Sequence, residues 1–131
     1  MATVSNHTSS VRVLGQQAEN TVAQWLAKQG YTILAQNYKK RSGEVDVIAR
    51  KDEVIAFVEV KFRSTNYFHL SQVITPAKQH RIARAARHFL LDKSYQDTVY
   101  RFDVALLEQH QGEVRVTYIP NAFVPAYDYS Y

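Results

Sequence analysis

The sequence predicts a single α/β domain in which a mixed β-sheet is flanked by helices, in the order α-β-β-β-α-β-β. Three observations carry this. Apolar residues recur at helical spacing in two stretches. They alternate at strand spacing in four others, and a fifth short run is rich in β-branched and aromatic residues. A length of 131 residues with 46% apolar and 12% aromatic content fits one globular domain and excludes disorder as the main state.

From Val11 to Lys28, Val11, Leu14, Ala18, Val22, Trp25 and Leu26 fall three and four residues apart, one face of a first helix. Gly30 supplies the left-handed stop, and Tyr31-Thr32-Ile33-Leu34-Ala35 reads as a short strand. Lys39-Lys40-Arg41-Ser42-Gly43 then reads as an exposed basic loop. From Glu44 to Phe62 the residues alternate, with Glu44, Asp46 and Ile48 opposed to Val45, Val47 and Ala49, and with Ala56, Val58, Val60 and Phe62 opposed to Phe57, Glu59 and Lys61. The polar stretch Arg50 to Glu53 makes these two strands a hairpin. After a loop through Ser64 to Ser71, Thr75 and Pro76 announce a second helix reaching Leu91, with Ile82, Ala85, Ala86, Phe89 and Leu90 on its apolar side. Tyr100 to Leu107 and Glu113 to Ile119 alternate about a Gln109 to Gly112 turn. Pro120, Pro125 and the tyrosines 127, 129 and 131 read as a tail that packs over the sheet or frays.

Sixteen Lys and Arg against twelve Asp and Glu give a formal charge of +4, and the pI of about 9.4 suits a protein that meets polyanions. The absence of cysteine excludes a disulfide framework, a thiolate nucleophile and a Cys-type zinc site. No run approaches the length of a membrane span, so no membrane partner is expected. Met1 to Ser10 lacks the basic start and apolar core of a secretory signal. It reads as a flexible tail of a cytoplasmic protein, with residues 11–131 as the domain.

The hairpin carries the chemistry. A turn centred between Asp52 and Glu53 pairs residues whose numbers sum to 105, so Asp46 faces Glu59 and Glu44 faces Lys61 on one side of the sheet. Directly opposed Cβ atoms lie about 4.5–5.5 Å apart, and like charges so placed repel unless a proton or cation sits between them. Mg²⁺ suits the pair, because it takes oxygen ligands and often uses only one or two carboxylates. Lys61 would hold a phosphate oxygen or help activate the attacking water. The same charges also fit a solvated ribbon face on which Lys61 pairs with Glu44. Asp52-Glu53 has no glycine to favour a two-residue turn.

Glu19 has Gly15, Val22, Ala23 and Leu26 as its helical neighbours, which puts a carboxylate on the buried side in need of a partner. The metal site or Lys61 would serve, as would an arginine. Lys78, Arg81, Arg84 and Arg87 stripe the second helix opposite its apolar side. With Lys39, Lys40, Arg41 and Arg63 they would form a basic rim round the carboxylates, able to follow a phosphate backbone. The five histidines show no ligand spacing, and there is no Gly-rich phosphate loop.

At these residues the chain resembles the small bacterial family called YraN-like or UPF0102. That family is itself similar to archaeal Holliday-junction resolvases and the PD-(D/E)XK nucleases. The resemblance runs from about Gly15 to Phe123. It is carried by Gly15 and Glu19, by Gly30-Tyr31 with Ile33-Leu34 and Asn37, and by Gly43-Glu44-Val45-Asp46 with Ile48-Ala49. It continues through Phe57-Val58-Glu59-Val60-Lys61 with Arg63, Thr75 with Lys78 and Arg81, Arg101-Phe102-Asp103, and Asn121-Ala122-Phe123. The chain departs from the pattern at Asp52-Glu53, where Asp-Gly is commoner, and at Gln72, where an acidic residue is frequent.

The resemblance implies a restriction-endonuclease-like core. In it Asp46 and Glu59 hold Mg²⁺ or Mn²⁺, the Val60 carbonyl adds a ligand, Lys61 is the catalytic lysine, Glu19 is the helix carboxylate near the metal and Glu44 supports the site. The expected function is a metal-dependent endonuclease, or a related nucleic-acid-processing protein, acting on structured or branched DNA; the resolvase resemblance permits a homodimer. The competing reading is a non-catalytic nucleic-acid-binding or protein-partner module that keeps the fold without the chemistry.

Overall fold

The computed structural model describes residues 7–63, 74–95 and 97–125, with the backbone alone for 7–14, 63 and 110. Helix α1 (His7–Lys28) is followed by β1 (Thr32–Lys40), β2 (Gly43–Lys51) and β3 (Val54–Arg63), then α2 (Pro76–Asp92), β4 (Val99–His110) and β5 (Glu113–Phe123). The five strands form one sheet in sequence order. All neighbours are antiparallel except β3 and β4, which run parallel with α2 as the crossover. The fold is therefore the mixed α/β order that the periodicities predict. The loop through Ser64 to Ser71, Gln72 and the tyrosines 127, 129 and 131 lie outside the described residues.

Both helices end as their sequences dictate. Gly30, at φ +95°, lets the Tyr31 N–H reach the Leu26 carbonyl at 3.0 Å, closing α1. Thr75 caps α2 by accepting from the Lys78 N–H, with Pro76 in the first turn. Ser94 takes the left-handed position at its far end, so that the Tyr95 N–H bonds the Leu90 carbonyl at 2.8 Å. The five apolar residues expected on the inner side of α2 are all buried.

Each helix covers one side of the sheet. On the α2 side Ile48, Ile55, Phe57 and Phe102 pack against Ile82, Ala85, Phe89 and Leu90. On the α1 side Ala18, Val22 and Leu26 pack on Val47, Ala49, Ala56, Val58, Ala105 and Leu107. Phe57, fully buried, stacks on Phe102 and meets Phe89 edge-on; burying one such ring contributes about 2–3 kcal/mol.

Several boundaries differ from expectation, and α1 begins at His7, inside the stretch to Ser10 that reads as a tail. Strand β1 runs on to Lys40, so Lys39 and Lys40 belong to a second hairpin, opposite Glu44 and Gly43, and the loop shrinks to Arg41-Ser42. The Asp52-Glu53 turn falls where expected, and Asp52 itself takes the left-handed backbone, at φ +53°, closing it without glycine. Strand β5 continues through Pro120 to Phe123, because it is an edge strand and loses little by lacking one N–H.

Candidate metal centre

The hairpin register is the expected one, numbers summing to 105, from Lys51 opposite Val54 to Val47 opposite Val58. There the ladder stops. β2 carries on along β1, with Val45 opposite Tyr38 and Glu44 opposite Lys39, while β3 carries on along β4 to its end. The two strands fork, and the pairs Asp46 with Glu59 and Glu44 with Lys61 fall just beyond the last rung.

Asn37, at φ +54°, gives the fork a cause. Gln36 before it lines a cleft with Asn20, Ala23, Gln24 and Ala27 of α1, whereas Tyr38 after it packs edge-on against Phe89 of α2. The strand thus changes sides across a single left-handed residue, and its partner changes with it. Val47 packs in the α1 cluster and Val45 in the α2 cluster. Asp46 lies at that crossing, between the two layers.

The fork leaves the Val60 N–H without a partner strand on the β2 side, and Asp46 Oδ2 accepts it at 2.8 Å. This bond aims the carboxylate into the opening. Glu59, 7% exposed, lies on the α2 side of β3, where its Oε1 is 2.8 Å from Lys78 Nζ. Lys61, two residues on and half-buried, shares that side by alternation and has no ion-pair partner among the described residues. Glu19, half-buried on α1, hydrogen-bonds Asp46 and feels the charges of Glu44, Lys39 and Glu59.

Electrostatics mark the cluster. Burial pushes the Asp46 carboxyl up to about 6, the Glu19 charge adding and the Val60 N–H opposing. Burial and the neighbouring Asp46 push Glu59 up to about 7, even though Lys78 favours its ionised form. Glu19 is raised too, chiefly by burial. Carboxyls that hold protons near neutrality are carboxyls short of positive charge. Among the described residues no three acidic or histidine side chains are arranged to enclose a metal ion. The two adjacent carboxylates, Asp46 and Glu59, fit a hard cation that keeps several waters, as Mg²⁺ does.

Of the rim, Lys39, Lys40, Arg41, Arg81 and Arg84 are exposed. Gly43 sets the β1–β2 turn against the Arg81 carbonyl so closely that a Cβ there would come within 1.8 Å of it, which brings Lys40 and Arg41 beside the basic side of α2. Lys78 stands apart from this rim, inside the site on Glu59. The Arg63 side chain lies outside the described residues.

A second polar centre had no role assigned from the sequence. Asp103, fully buried on the α1 side, accepts from Arg101 Nε at 3.0 Å, from the Asn121 N–H at 2.8 Å and from the Tyr118 hydroxyl. Arg101 also donates to the Tyr31 hydroxyl, and Tyr118 stacks on Trp25 of α1. Burial and the adjacent Asp103 push the Tyr118 hydroxyl far above its ordinary range. With both oxygens engaged, Asp103 ties the bulged end of β5, where Asn121 is at φ +51°, to β4. The one signal for it in the sequence is a carboxylate within the otherwise apolar run from Phe102 to Leu107.

Among the described residues no helix is long and apolar enough to cross a membrane. Residues 18–107 match the profile of the uncharacterised protein family UPF0102. The chain is 41% identical over 119 residues to a UPF0102 protein of Trichlorobacter lovleyi, covering 88% of this chain and 94% of that one. It is 38% identical over 117 residues to one of Treponema pallidum, covering 86% and 93%, and 40% identical over 111 residues to one of Alkaliphilus metalliredigens, covering 84% and 96%. With the match spanning α2, the second half of α1 and most of the sheet, the chain belongs to the uncharacterised protein family UPF0102.

Proposed function

We propose that the protein is a divalent-metal-dependent endonuclease acting on structured or branched DNA. The observation that carries the reading is the meeting of a half-buried Asp46 and a buried Glu59, mutually repelling, in the fork between β2 and β3. In this reading Asp46, Glu59 and the Val60 carbonyl hold Mg²⁺ or Mn²⁺, and the Val60 N–H keeps Asp46 turned toward the ion. A cation bound there supplies Lewis acidity toward a water and the scissile phosphate. Glu19 receives a proton or orients a water on the α1 side. Lys61 would neutralise a phosphate oxygen as the water oxygen bonds phosphorus, its proton passing to Glu19 or solvent, while the bridging oxygen leaves and takes a proton from solvent. Glu44 and Lys39 set the charge around Glu19, and Lys40, Arg41, Arg81 and Arg84 hold the flanking backbone.

The test is calorimetric titration of Mg²⁺ and Mn²⁺ into the protein and into Asp46→Asn, followed by cleavage of a four-way DNA junction with the same samples. The wild type is expected to bind metal and cut. Asp46→Asn is expected to lose both while still binding the junction, because its basic surface is untouched. Equal cutting by the variant would remove Asp46 from the chemistry. Metal and junction binding with no cutting of any branched DNA would leave a non-catalytic binding module.

A further inference from the structure

We propose that Lys78 is a built-in counter-cation that occupies Glu59 in the metal-free protein and gives way to the incoming divalent ion, so that the first turn of α2 sets the metal affinity of the site. The inference rests on the metal-centre reading above and concerns a residue to which that reading gives no part.

The position of Lys78 in its helix is the first ground. Thr75 is the N-cap and Lys78 the third helical residue, its N–H bonded to the Thr75 hydroxyl. A glutamate or glutamine favours that place, because it reaches back to the cap's own N–H and because the helix N-terminus carries partial positive charge. This helix has no acidic residue in its first turn and puts a lysine where the cap would be completed by an acid. The residue is at odds with its helix, and conflicts of this kind belong to sites rather than to scaffolds.

The ion pair is the second ground. Lys78 Nζ is 2.8 Å from Glu59 Oε1, with the carboxylate 8% and the lysine 33% exposed. Glu59 is the deeper partner and needs a positive charge; Lys78 is the shallower one, on a flexible four-carbon stem, and can withdraw toward solvent. The crossover explains how they meet. β3 and β4 are parallel, so the chain leaving β3 must return alongside it, and the first turn of α2 is set down beside the Glu59 half of the strand. A divalent ion on Glu59 would compete with Lys78 for the same buried carboxylate, and the repulsion between the two cations weakens the hold of each.

The experiment is Mn²⁺ titration by calorimetry at pH 8 into wild type, Lys78→Met, Lys78→Arg and Asp46→Asn, with melting temperatures of each with and without saturating Mn²⁺. Lys78→Met is expected to bind Mn²⁺ about tenfold more tightly, the scale of one charge-assisted contact. Its metal-free form is expected to melt lower than wild type and its metal-loaded form to match it. Lys78→Arg is expected to stay near wild type. Should Lys78→Met fail to fold, Lys78→Gln, which keeps a donor for Glu59 without the charge, is expected to shift affinity the same way. A purely structural role for Lys78 gives the opposite sign, since loss of a support weakens binding. If wild type binds Mn²⁺ and Asp46→Asn does not, yet the uncharged variants bind no more tightly than wild type, the counter-cation is overturned while the metal centre stands. If no variant binds Mn²⁺, the metal centre itself falls and this inference with it.

Discussion

A carboxyl that folding makes harder to ionise gives a protein an unusual dependence on pH. In the folded chain the Asp46 carboxyl is pushed from its ordinary 3.8 up to about 6 and Glu59 from 4.5 up to about 7, so over that span the folded state binds more protons than the unfolded one. Stability therefore falls as pH rises through the window, the reverse of a salt-bridged carboxylate. The double variant Asp46→Asn, Glu59→Gln carries no such penalty. Without metal, its melting temperature is expected to gain on that of wild type between about pH 4 and pH 7 and to hold the margin above. Saturating Mn²⁺ is expected to raise wild type alone, and melting curves of both proteins across pH measure all of this. At this scale the sequence tells a good deal: the sum-105 register follows from the turn, and it brings Asp46 and Glu59 to the same end of the hairpin. Lys78 is legible only as a basic residue on a basic stripe, because its ion pair with Glu59 depends on where a crossover helix lands, which no local period records.

Elements are legible where a single period rules them and fail where one residue breaks the period. Helix α2 reads correctly because its cap, its proline and its five buried residues all agree. The fork does not, because Asn37 switches β1 from one side of the sheet to the other and carries β2 with it, and alternation cannot anticipate a left-handed asparagine. The end of β5 is hidden for a like reason. Pro120 signals a break, yet Asp103 holds the Asn121 N–H and the strand resumes. The closest approach between elements is also silent in the pattern: Gly43 at the start of β2 lies flat against the Arg81 carbonyl of α2. A Cβ at 1.8 Å from a backbone oxygen cannot be absorbed by a side-chain rotation. Gly43→Ala is expected to destabilise the domain by about 3 kcal/mol, at the upper end for an overpacked site, or to force the β1–β2 turn away from α2. Chemical denaturation reads the first outcome, and weakened junction binding in a still-folded variant reads the second.

At the scale of the whole molecule the +4 charge is a weak statement until the fold distributes it. The carboxylates of the site are gathered into the fork, between the layers, and the β1–β2 hairpin carries Lys40 and Arg41 out to the exposed basic side of α2. The acidic part of the charge is thus turned inward at the site while a positive edge faces outward. A DNA backbone lying along that edge would release counterions for each phosphate it contacts, and the logarithm of affinity would fall with that of salt by about 0.9 per phosphate. Lys40 and Arg41 lie apart from Asp46 and Glu59 in this respect: Lys40 reaches over the Tyr38 ring, and both are exposed. The pair Lys40→Gln, Arg41→Gln is therefore expected to leave melting temperature and Mn²⁺ affinity unchanged and to reduce the salt slope of four-way-junction binding by about 1.8, two contacts' worth. Titrations at a series of salt concentrations, in Ca²⁺ to hold off cleavage, measure the slope directly. An unchanged slope places the duplex on another face and frees the β1–β2 turn from the DNA. A slope lowered by the expected amount fixes the backbone across the mouth of the fork, on the side from which Lys61 and Glu59 are reached.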